Sequence, residues 1–270
     1  MNRISESFKT LETKGSGAYI PYVCAGDPDI DFTFDMIGRL CKSGADILEI
    51  GLPFSDPIAD GPTVQGAMLR SLRAGFKVRD VFELISSLRS SGTDQPVVLM
   101  TYYNPLLRIG VENFCRRLAK AGGDAVLAVD LPLEESTGLD RAADRTGLDV
   151  IRLVAPTTTD SRMELILSRA SGFAYVVSVA GVTGARDNLP RSTVTFLNRV
   201  TARSNHPVVL GFGISRPTHV SKAVSAGASG VVEGSELISI YSGLLSNREA
   251  ALDRLELHAR RMKDATSIPS

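Results

Sequence analysis

Three carboxylates, Glu49, Asp56 and Asp60, lie within twelve residues of one another. Glu49 stands near the end of the apolar run 45–50, which is typical of a strand buried on both faces. The loop that follows contains too many chain breakers for a helix or a strand, namely Gly51, Pro53, Pro57, Gly61 and Pro62. A carboxylate at a strand end, facing a loop that returns further carboxylates, is the usual construction of a paired acid–base site. The stretch therefore predicts proton-transfer chemistry.

Each of these carboxylates also has an ordinary structural interpretation. Glu49 could pair with an arginine elsewhere in the core, although buried acids are rare unless they are paired or functional, and the position favours function. Asp60 precedes a glycine and could be a turn aspartate, so its position alone leaves the two interpretations even. Asp56 lies in the common turn sequence Ser-Asp-Pro and is the weakest of the three candidates.

Eight short apolar runs follow one another along the chain, with helical patterns between them. The predicted strands are 18–24, 45–50, 96–101, 125–129, 149–154, 173–178, 207–211 and 230–233. The predicted helices are an extra N-terminal helix over 3–13, then 31–43, 63–73, 78–90, 111–121, 134–146, 160–170, 191–203, 216–226 and 247–264. Repeated βα units imply a parallel sheet, and eight units in about 250 residues predict an α/β fold, a (β/α)₈ TIM barrel.

The barrel prediction has one competitor and two consequences for chain organisation. A doubly wound open sheet should carry its dinucleotide fingerprint after the first strand, where CAGDP has only one glycine. No Pro/Ser-rich linker divides the sequence, so residues 1–270 are expected to form a single domain. The tail from about residue 265 is expected to be disordered.

Active sites of such barrels lie at the carboxyl ends of the strands, which here are mostly apolar and aromatic. This face suits a flat apolar substrate with one polar end. Glycines after strands seven and eight, with a helix start behind Ser235, favour a phosphate because backbone N–H groups and the helix dipole bind anions. The alternative is that Gly211, Gly213 and Gly234 only form tight turns.

Other side chains on this face are weaker candidates. Tyr175, on the sixth strand, is by position more often a core residue than a catalyst. Thr183 and Gly184 follow that strand in a glycine-rich loop that suggests a lid, with a plain surface loop as the alternative.

Histidines and lysines are missing from the predicted strand ends. The three histidines, His206, His219 and His258, fall before strand seven or on helices, so a metal site lacks its usual ligands. The seven lysines also lie elsewhere, which leaves Schiff-base chemistry without a nucleophile. The sequence thus favours acid–base chemistry by carboxylates, with no metal.

Composition argues against several other classes of function. Thirty basic and thirty acidic residues cancel, so no global field would attract nucleic acid or an anionic membrane. Three widely spaced cysteines indicate a reducing compartment. The N-terminus lacks the apolar core of a signal peptide and no apolar run is long enough to span a bilayer, so a cytoplasmic protein is expected.

The stretch LEIGLPFSDPIADGPTVQ, residues 48–65, resembles the signature of the tryptophan synthase alpha subunit family. Further matching motifs follow the predicted strands in the same order, namely CAGDP, YYNP, SVAGVTGAR, GFGIS and VEGS. The resemblance implies a (β/α)₈ barrel that cleaves indole-3-glycerol phosphate to indole and glyceraldehyde 3-phosphate. Glu49 and Asp60 match the two catalytic carboxylates of the family, and Tyr175 matches its tyrosine beside the substrate. Thr183 and Gly184 match the loop that closes over the site.

The resemblance also implies the substrate contacts. The implied indole pocket consists of Tyr22, Met100, Leu127, Phe212 and Val232, and the implied phosphate site of Gly184, Gly213, Gly234 and Ser235. Three positions depart from the family pattern: Tyr22 replaces a common phenylalanine, Cys24 a threonine and Met100 a leucine. These departures bear on affinity rather than on the reaction.

The family works with a beta subunit that carries pyridoxal phosphate, so the resemblance implies an alpha-beta-beta-alpha heterotetramer and no cofactor in this chain. Positions that match the family's interface are Pro53, Asp56, Pro57, Asn104 and Pro105. Two alternatives stay open: another barrel enzyme acting on a phosphorylated sugar, and a non-catalytic subunit that only activates its partner.

Overall fold

The computed structural model describes residues 2–177 and 189–267, so Thr183 and Gly184 lie outside the described residues. Its strands are β1 (Ala18–Cys24), β2 (Leu48–Gly51), β3 (Val97–Thr101), β4 (Ala125–Ala128), β5 (Asp149–Val150), β6 (Arg152–Val154), β7 (Ala174–Val177), β8 (Val208–Gly211) and β9 (Gly230–Glu233). They pair in the order β5-β4-β3-β2-β1-β9-β8-β7-β6, and every pairing is parallel.

The two ends of this sheet are consecutive in the chain, which closes it into a barrel. β5 pairs with β4 and β6 pairs with β7, and only Ile151 separates them. The sequence predicts one strand over 149–154, whereas the structure divides it because its two halves bond to neighbours on opposite sides. When β5 and β6 are counted as one strand, the barrel has eight strands, and the prediction of a (β/α)₈ barrel is confirmed.

Helices surround the barrel. They are α1 (Arg3–Thr13), α2 (Ile30–Lys42), α3 (Pro62–Arg73), α4 (Val78–Ser90), α5 (Tyr103–Ile109), α6 (Val111–Ala121), α7 (Thr137–Thr146), α8 (Asp160–Ser168), α9 (Arg191–Thr201), α10 (Pro217–Ser225), α11 (Ser235–Ser242) and α12 (Arg248–Asp264). None of the helices in the described ranges is long and apolar enough to cross a membrane.

Two of these helices are not separate elements in the sequence prediction. α5 falls where the sequence indicated only the YYNP loop, because it has seven residues, too few to show helical periodicity, and contains Pro105. Proline is tolerated in the first turn, where its missing N–H would have no partner within the helix. α11 begins at Ser235, where the sequence predicts a helix start, and forms a separate helix that ends at Ser242; the predicted final helix over 247–264 is α12.

The N-terminal helix covers the amino ends of the strands. Arg3 Nη1 bonds Asp124 Oδ1 at 2.9 Å, directly before β4, and Asn2 Nδ2 bonds Asp149 Oδ2 at 2.5 Å at the start of β5. The Phe8 and Phe173 rings pack edge to face with 5.9 Å between centroids, so α1 closes this end with an apolar contact. The opposite, carboxyl end of the barrel is left for the loops.

The last described residues also pack at the amino end of the barrel. Gly17 N–H donates to Thr266 O at 2.9 Å, Ser16 and Ser267 form an antiparallel bridge, and the Thr266 side chain is buried. The sequence placed the start of disorder at about 265, whereas these backbone contacts extend the packed chain to Ser267.

Candidate active site

Five side chains predicted to form the site are buried in the barrel: Tyr22, Glu49, Met100 and Leu127 on the neighbouring strands β1 to β4, and Tyr175 on β7. The parallel registers align Tyr22 with Glu49, Gly51 with Met100, and Met100 with Leu127. Strand pairing thus places Tyr22, Glu49, Met100 and Leu127 together at one end of the barrel. Four of the five are apolar or aromatic, so the carboxyl group of Glu49 lies in a region of low polarity.

Glu49 is 1% exposed, and its Oε2 atom has no hydrogen-bond partner among the described residues. No arginine of the described ranges forms an ion pair with it, so the arginine partner considered from the sequence is not found among these residues. Burial, followed by the nearby charge of Asp60, raises the pKa of Glu49 to about 8. A carboxyl group of this kind holds its proton at neutral pH and loses it at slightly alkaline pH.

Asp60 lies in the loop after β2 and is held by Tyr102. The Tyr102 hydroxyl donates to Asp60 Oδ2 at 2.6 Å and accepts the Ala59 N–H at 3.0 Å. Burial raises the pKa of Asp60, and the hydrogen bond from Tyr102 acts in the opposite direction because it stabilises the ionised carboxylate. The structure therefore supports Asp60 by a specific donor, unlike an ordinary turn aspartate.

Tyr102 was missed by the sequence analysis, which treated YYNP only as a motif after strand three. Its side chain is buried, and its ring stacks on Phe54 with 5.0 Å between centroids. Tyr102 therefore fastens the loop after β2 by two hydrogen bonds and one aromatic contact. The sequence could have indicated this role, because Tyr102 directly follows a strand that neighbours the strand of Glu49.

Two glycines make room for the aromatic rings. A Cβ atom on Gly51 would lie 2.2 Å from the Tyr22 hydroxyl oxygen, and one on Gly211 would lie 2.2 Å from Tyr175 Cε1. Any larger residue would collide with the ring, so these positions require glycine for space rather than for a turn. Burial, followed by the charges of Glu49 and Asp60, raises the pKa of Tyr175 well above its usual value, so this phenol stays protonated.

The loops after β8 and β9 contain the predicted phosphate residues. Phe212 and Gly213 both have positive φ, 66° and 76°, so the chain turns sharply after β8. Gly234 precedes α11, and its carbonyl accepts the Ile238 N–H at 3.2 Å, which places Ser235 in the first turn of that helix. The backbone N–H groups of a first helical turn have no partner within the helix and can bind an anion.

The predicted pocket and phosphate residues differ in exposure. Val232 is buried, whereas Phe212, Gly213 and Ser235 are exposed at the rim. An apolar interior with a rim of backbone N–H groups matches a substrate whose flat part enters first and whose anionic end stays near the surface.

The predicted interface positions also divide by exposure. Asp56 and Asn104 are exposed and Pro57 is half-buried, whereas Pro53 and Pro105 are buried within the chain. Two large apolar side chains that the sequence analysis missed stand out beside them, with Ile58 85% and Leu107 56% exposed. The burial of Pro53 and Pro105 depends on how the two loops fold, so it could not be predicted from the motif.

A second buried carboxylate, Asp27, lies in the loop after β1. Its two oxygens accept from Arg70 Nε at 2.8 Å and Arg70 Nη2 at 2.7 Å, and Tyr241 donates a further short hydrogen bond. Arg70 also reaches Ser242 at 3.0 Å. The cluster therefore links the loop after β1 to α3, which follows the Asp60 loop, and to α11, which follows Gly234.

Within residues 2–177 and 189–267, no group of three or more His, Cys, Asp or Glu side chains is arranged to hold a metal ion.

Comparison with known proteins decides the family. The sequence profile described as "Tryptophan synthase alpha chain" matches residues 8–267 of this chain. The chain belongs to the tryptophan synthase alpha chain family. The resemblance inferred from the motifs is confirmed.

The tryptophan synthase alpha chain of Methanothermobacter thermautotrophicus is 46% identical over 262 residues, which cover 97% of each chain. The alpha chain from Legionella pneumophila superposes with a TM-score of 0.90 at 33% identity, covering 98% of this chain and 97% of that one. A chain of Mycobacterium tuberculosis tryptophan synthase gives a TM-score of 0.90 at 33% identity over 99% of each chain. Similarity therefore spans the whole barrel.

Proposed function

We propose that this chain is the lyase subunit of tryptophan synthase and cleaves indole-3-glycerol phosphate, with Glu49 and Asp60 as its two working carboxylates. The observation that carries the proposal is Glu49, a carboxyl group without a partner in an apolar pocket, whose pKa is raised to about 8. Membership of the family supplies the substrate and products, which are indole and glyceraldehyde 3-phosphate.

Glu49 begins the reaction protonated and gives its proton to C3 of the indole ring. This step leaves positive charge on the ring nitrogen, and Asp60 accepts a hydrogen bond from the N–H and stabilises that charge. Glu49, now a carboxylate, takes the proton of the adjacent glycerol hydroxyl. The oxygen becomes the aldehyde carbonyl, the carbon–carbon bond breaks, and its electron pair returns to the ring to give indole. Glu49 ends protonated, as it began.

The remaining site residues orient the substrate. Tyr22, Met100, Leu127, Phe212 and Val232 surround the indole ring, and Tyr175 lies beside the reacting carbon. Gly213, Gly234 and Ser235 bind the phosphate through backbone N–H groups at the start of α11, which is how helix N-termini bind anions. We also assign Thr183 and Gly184, which lie outside the described residues, to a loop that closes over the substrate, with Gly184 as a further phosphate contact.

We further propose that the face around the Asp60 loop binds a beta subunit that carries pyridoxal phosphate, in an alpha-beta-beta-alpha heterotetramer. Exposed Ile58 and Leu107 support this proposal, because exposed apolar groups near polar Asp56 and Asn104 are typical of an interface. Pro53, Pro57 and Pro105 would act mainly by fixing the shape of the two loops. This chain itself would need no cofactor, since its proton transfers use carboxylates alone.

The deciding experiment measures indole release from indole-3-glycerol phosphate, with and without a tryptophan synthase beta subunit. Wild type should be weakly active alone and strongly stimulated by the partner, and Glu49→Gln should be close to inactive. Glu233→Gln is the matched control, because Glu233 is also a buried glutamate but bonds Tyr19 and His258 instead of facing the pocket. The folded control should retain activity.

The same assay separates the alternatives. A wild type that stays inactive with the partner, but stimulates the partner's own reaction, would indicate an activating subunit without catalysis. Failure both to cleave the substrate and to bind indole-3-propanol phosphate would indicate a barrel enzyme for another phosphorylated compound.

A further inference from the structure

The Tyr22 side chain ends in an unused hydrogen-bonding group. Tyr22 is 4% exposed, and its hydroxyl has no hydrogen-bond partner among the described residues. Buried hydroxyl groups normally have a partner, since losing water without gaining a hydrogen bond is unfavourable. A phenylalanine would fill the same space without this penalty, so the hydroxyl is expected to bond a partner other than the residues of the described ranges.

The ring of Tyr22 lies between the two ends of the proposed substrate site. A Cβ atom on Gly234, directly before α11, would lie 3.3 Å from Tyr22 Cδ1, whereas one on Gly51 would lie 2.2 Å from the hydroxyl oxygen. Tyr22 is also paired in register with Glu49 on the next strand. The base of the ring thus lies against the phosphate side, and its hydroxyl lies on the carboxylate side.

The hydroxyl is available as a donor. Burial, followed by electrostatic interactions with Cys24, Asp60 and Glu49, raises the pKa of Tyr22 well above its usual value, so the phenol keeps its proton throughout the working pH range. Glu49 Oε2, the other buried atom without a partner on this face, is not bonded to it. Neither atom has a partner among residues 2–177 and 189–267, so both are available to a ligand.

We infer that the Tyr22 hydroxyl donates a hydrogen bond to a hydroxyl oxygen of the three-carbon chain that joins the indole ring to the phosphate, and so selects a hydroxylated substrate. The inference rests on the proposed function, which places the ring near Glu49 and the phosphate near Gly234. The linking chain then has to pass the Tyr22 hydroxyl. A site built to bond a substrate hydroxyl discriminates against analogues that lack it, because the buried donor is then unpaired.

The test compares Tyr22→Phe with wild type on two ligands. Indole-3-glycerol phosphate carries the hydroxyl groups of the chain, whereas indole-3-propanol phosphate keeps the ring and the phosphate without them. In Tyr22→Phe, kcat/KM for indole-3-glycerol phosphate should fall about tenfold, the typical effect of one lost hydrogen bond. The inhibition constant of indole-3-propanol phosphate should stay the same or decrease, because this ligand leaves the hydroxyl unpaired in the wild type.

Tyr19→Phe is the matched control. Tyr19 lies on the same strand, is fully buried, and donates to Glu233 at 2.7 Å, away from the pocket. Its removal should change the melting temperature but neither constant. Circular dichroism and thermal unfolding check that both variants fold.

The possible outcomes separate the inference from the proposed function. Equal weakening of both ligands in Tyr22→Phe, or no change in either, would overturn the inference while leaving the lyase assignment intact. A wild type that neither cleaves indole-3-glycerol phosphate nor binds indole-3-propanol phosphate would overturn the proposed function and the inference together.

Discussion

Two buried glutamates, Glu49 and Glu233, occupy different layers of the same barrel. Glu49, 1% exposed, faces the interior, and its Oε2 atom has no bonding partner among the described residues. Glu233, 0% exposed, faces the helices and accepts from Tyr19 at 2.7 Å, with His258 Nε2 at 2.6 Å from its other oxygen. The difference teaches that burial alone does not mark a reactive carboxyl group; a missing partner does.

Two buried carboxylates outside the strands, one at each end of the barrel, follow the same rule as Glu233. Asp27 is held by Arg70 and Tyr241, and Asp124 by Arg3 and Arg89. Buried charges are tolerated in proteins when they are paired and hydrogen-bonded. Inside the barrel, by contrast, the strands place mostly apolar side chains around Glu49. We propose that its hydrogen-bond partner is the substrate.

The largest expected effect comes from Glu49→Gln, which should lower lyase activity by roughly 10²–10⁴-fold because the proton donor and acceptor is lost. Stability should change in the opposite direction. The folded-state pKa of Glu49, about 8, lies above its usual value of 4.5, so the folded state of wild type loses stability as the pH rises from 4.5 to 8. Glutamine cannot ionise, so the variant should gain stability relative to wild type across that window. Urea unfolding at pH 5 and pH 9 measures the difference.

One result would contradict the stability prediction for Glu49→Gln. A Glu49→Gln variant that is less stable than wild type at pH 9 would mean that the carboxylate has a favourable partner. The contrast with Glu233 would then disappear.

Asp27→Asn tests a buried carboxylate that has bonding partners, and it should have the next largest effect. Removing the charge from the Arg70 pair should lower the free energy of unfolding by about 2–3 kcal/mol, at the low end for a buried pair because Arg70 is itself a third exposed. Glu134→Gln is the control, since its pair with Arg162 lies at the surface, where solvent screens the charges, and should contribute little to stability. Equal losses in chemical denaturation would show that burial of the pair contributes nothing.

Tyr102→Phe tests Asp60, the carboxylate that accepts a hydrogen bond from the Tyr102 hydroxyl. The variant loses the donor to Asp60, so kcat/KM should fall about tenfold and the acid limb of its pH profile should move to higher pH. The hydrogen bond favours ionised Asp60 and so opposes the rise in its pKa that burial causes; without the bond the pKa of Asp60 rises further. In an Asp60→Asn background, Tyr102→Phe should have little further effect on kcat/KM, whereas a purely structural role would give additive losses.

The smallest effect concerns His258. Burial lowers the pKa of this histidine, but the hydrogen bond and charge of Glu233 outweigh it, and the net pKa is raised above 6.5. The ion pair therefore stabilises the fold fully below pH 6.5 and loses its contribution as the pH rises through the folded-state pKa. His258→Gln should remove roughly 1 kcal/mol of stability at pH 6 and much less at pH 9. His206→Gln serves as the control, and a pH-independent loss in His258→Gln would contradict the charge argument.

Much of the fold could be predicted because local signals agreed with the tertiary structure. β1, predicted over 18–24, has those bounds in the structure, since its buried run is closed by a turn sequence. The division at Ile151 could not be predicted, because it depends on which neighbouring strands the two halves meet. The same holds for α5, whose seven residues are ordered mainly by packing.

The candidate site was only half visible in the sequence. Glu49 could be identified because an acidic residue within an apolar strand is evident from the sequence itself. Tyr102, Arg70 and Tyr241 could not be assigned as partners of Asp60 and Asp27, since those contacts join residues 42, 43 and 214 positions apart in the chain. The missing partner of Tyr22 is likewise a property of three-dimensional packing alone.

The bridge between Ser16 and Ser267, beside the start of β1, has a practical consequence for experiments on this chain. Both the N-terminal helix and the last described residues lie at the barrel end remote from Glu49. A tether or fluorescent label joined beyond either point would therefore lie away from the loops that we propose to bind substrate and partner. Surface-immobilised chain should bind ligand as the free chain does, and a linker joining the two ends offers a route to circular permutants with an unobstructed pocket.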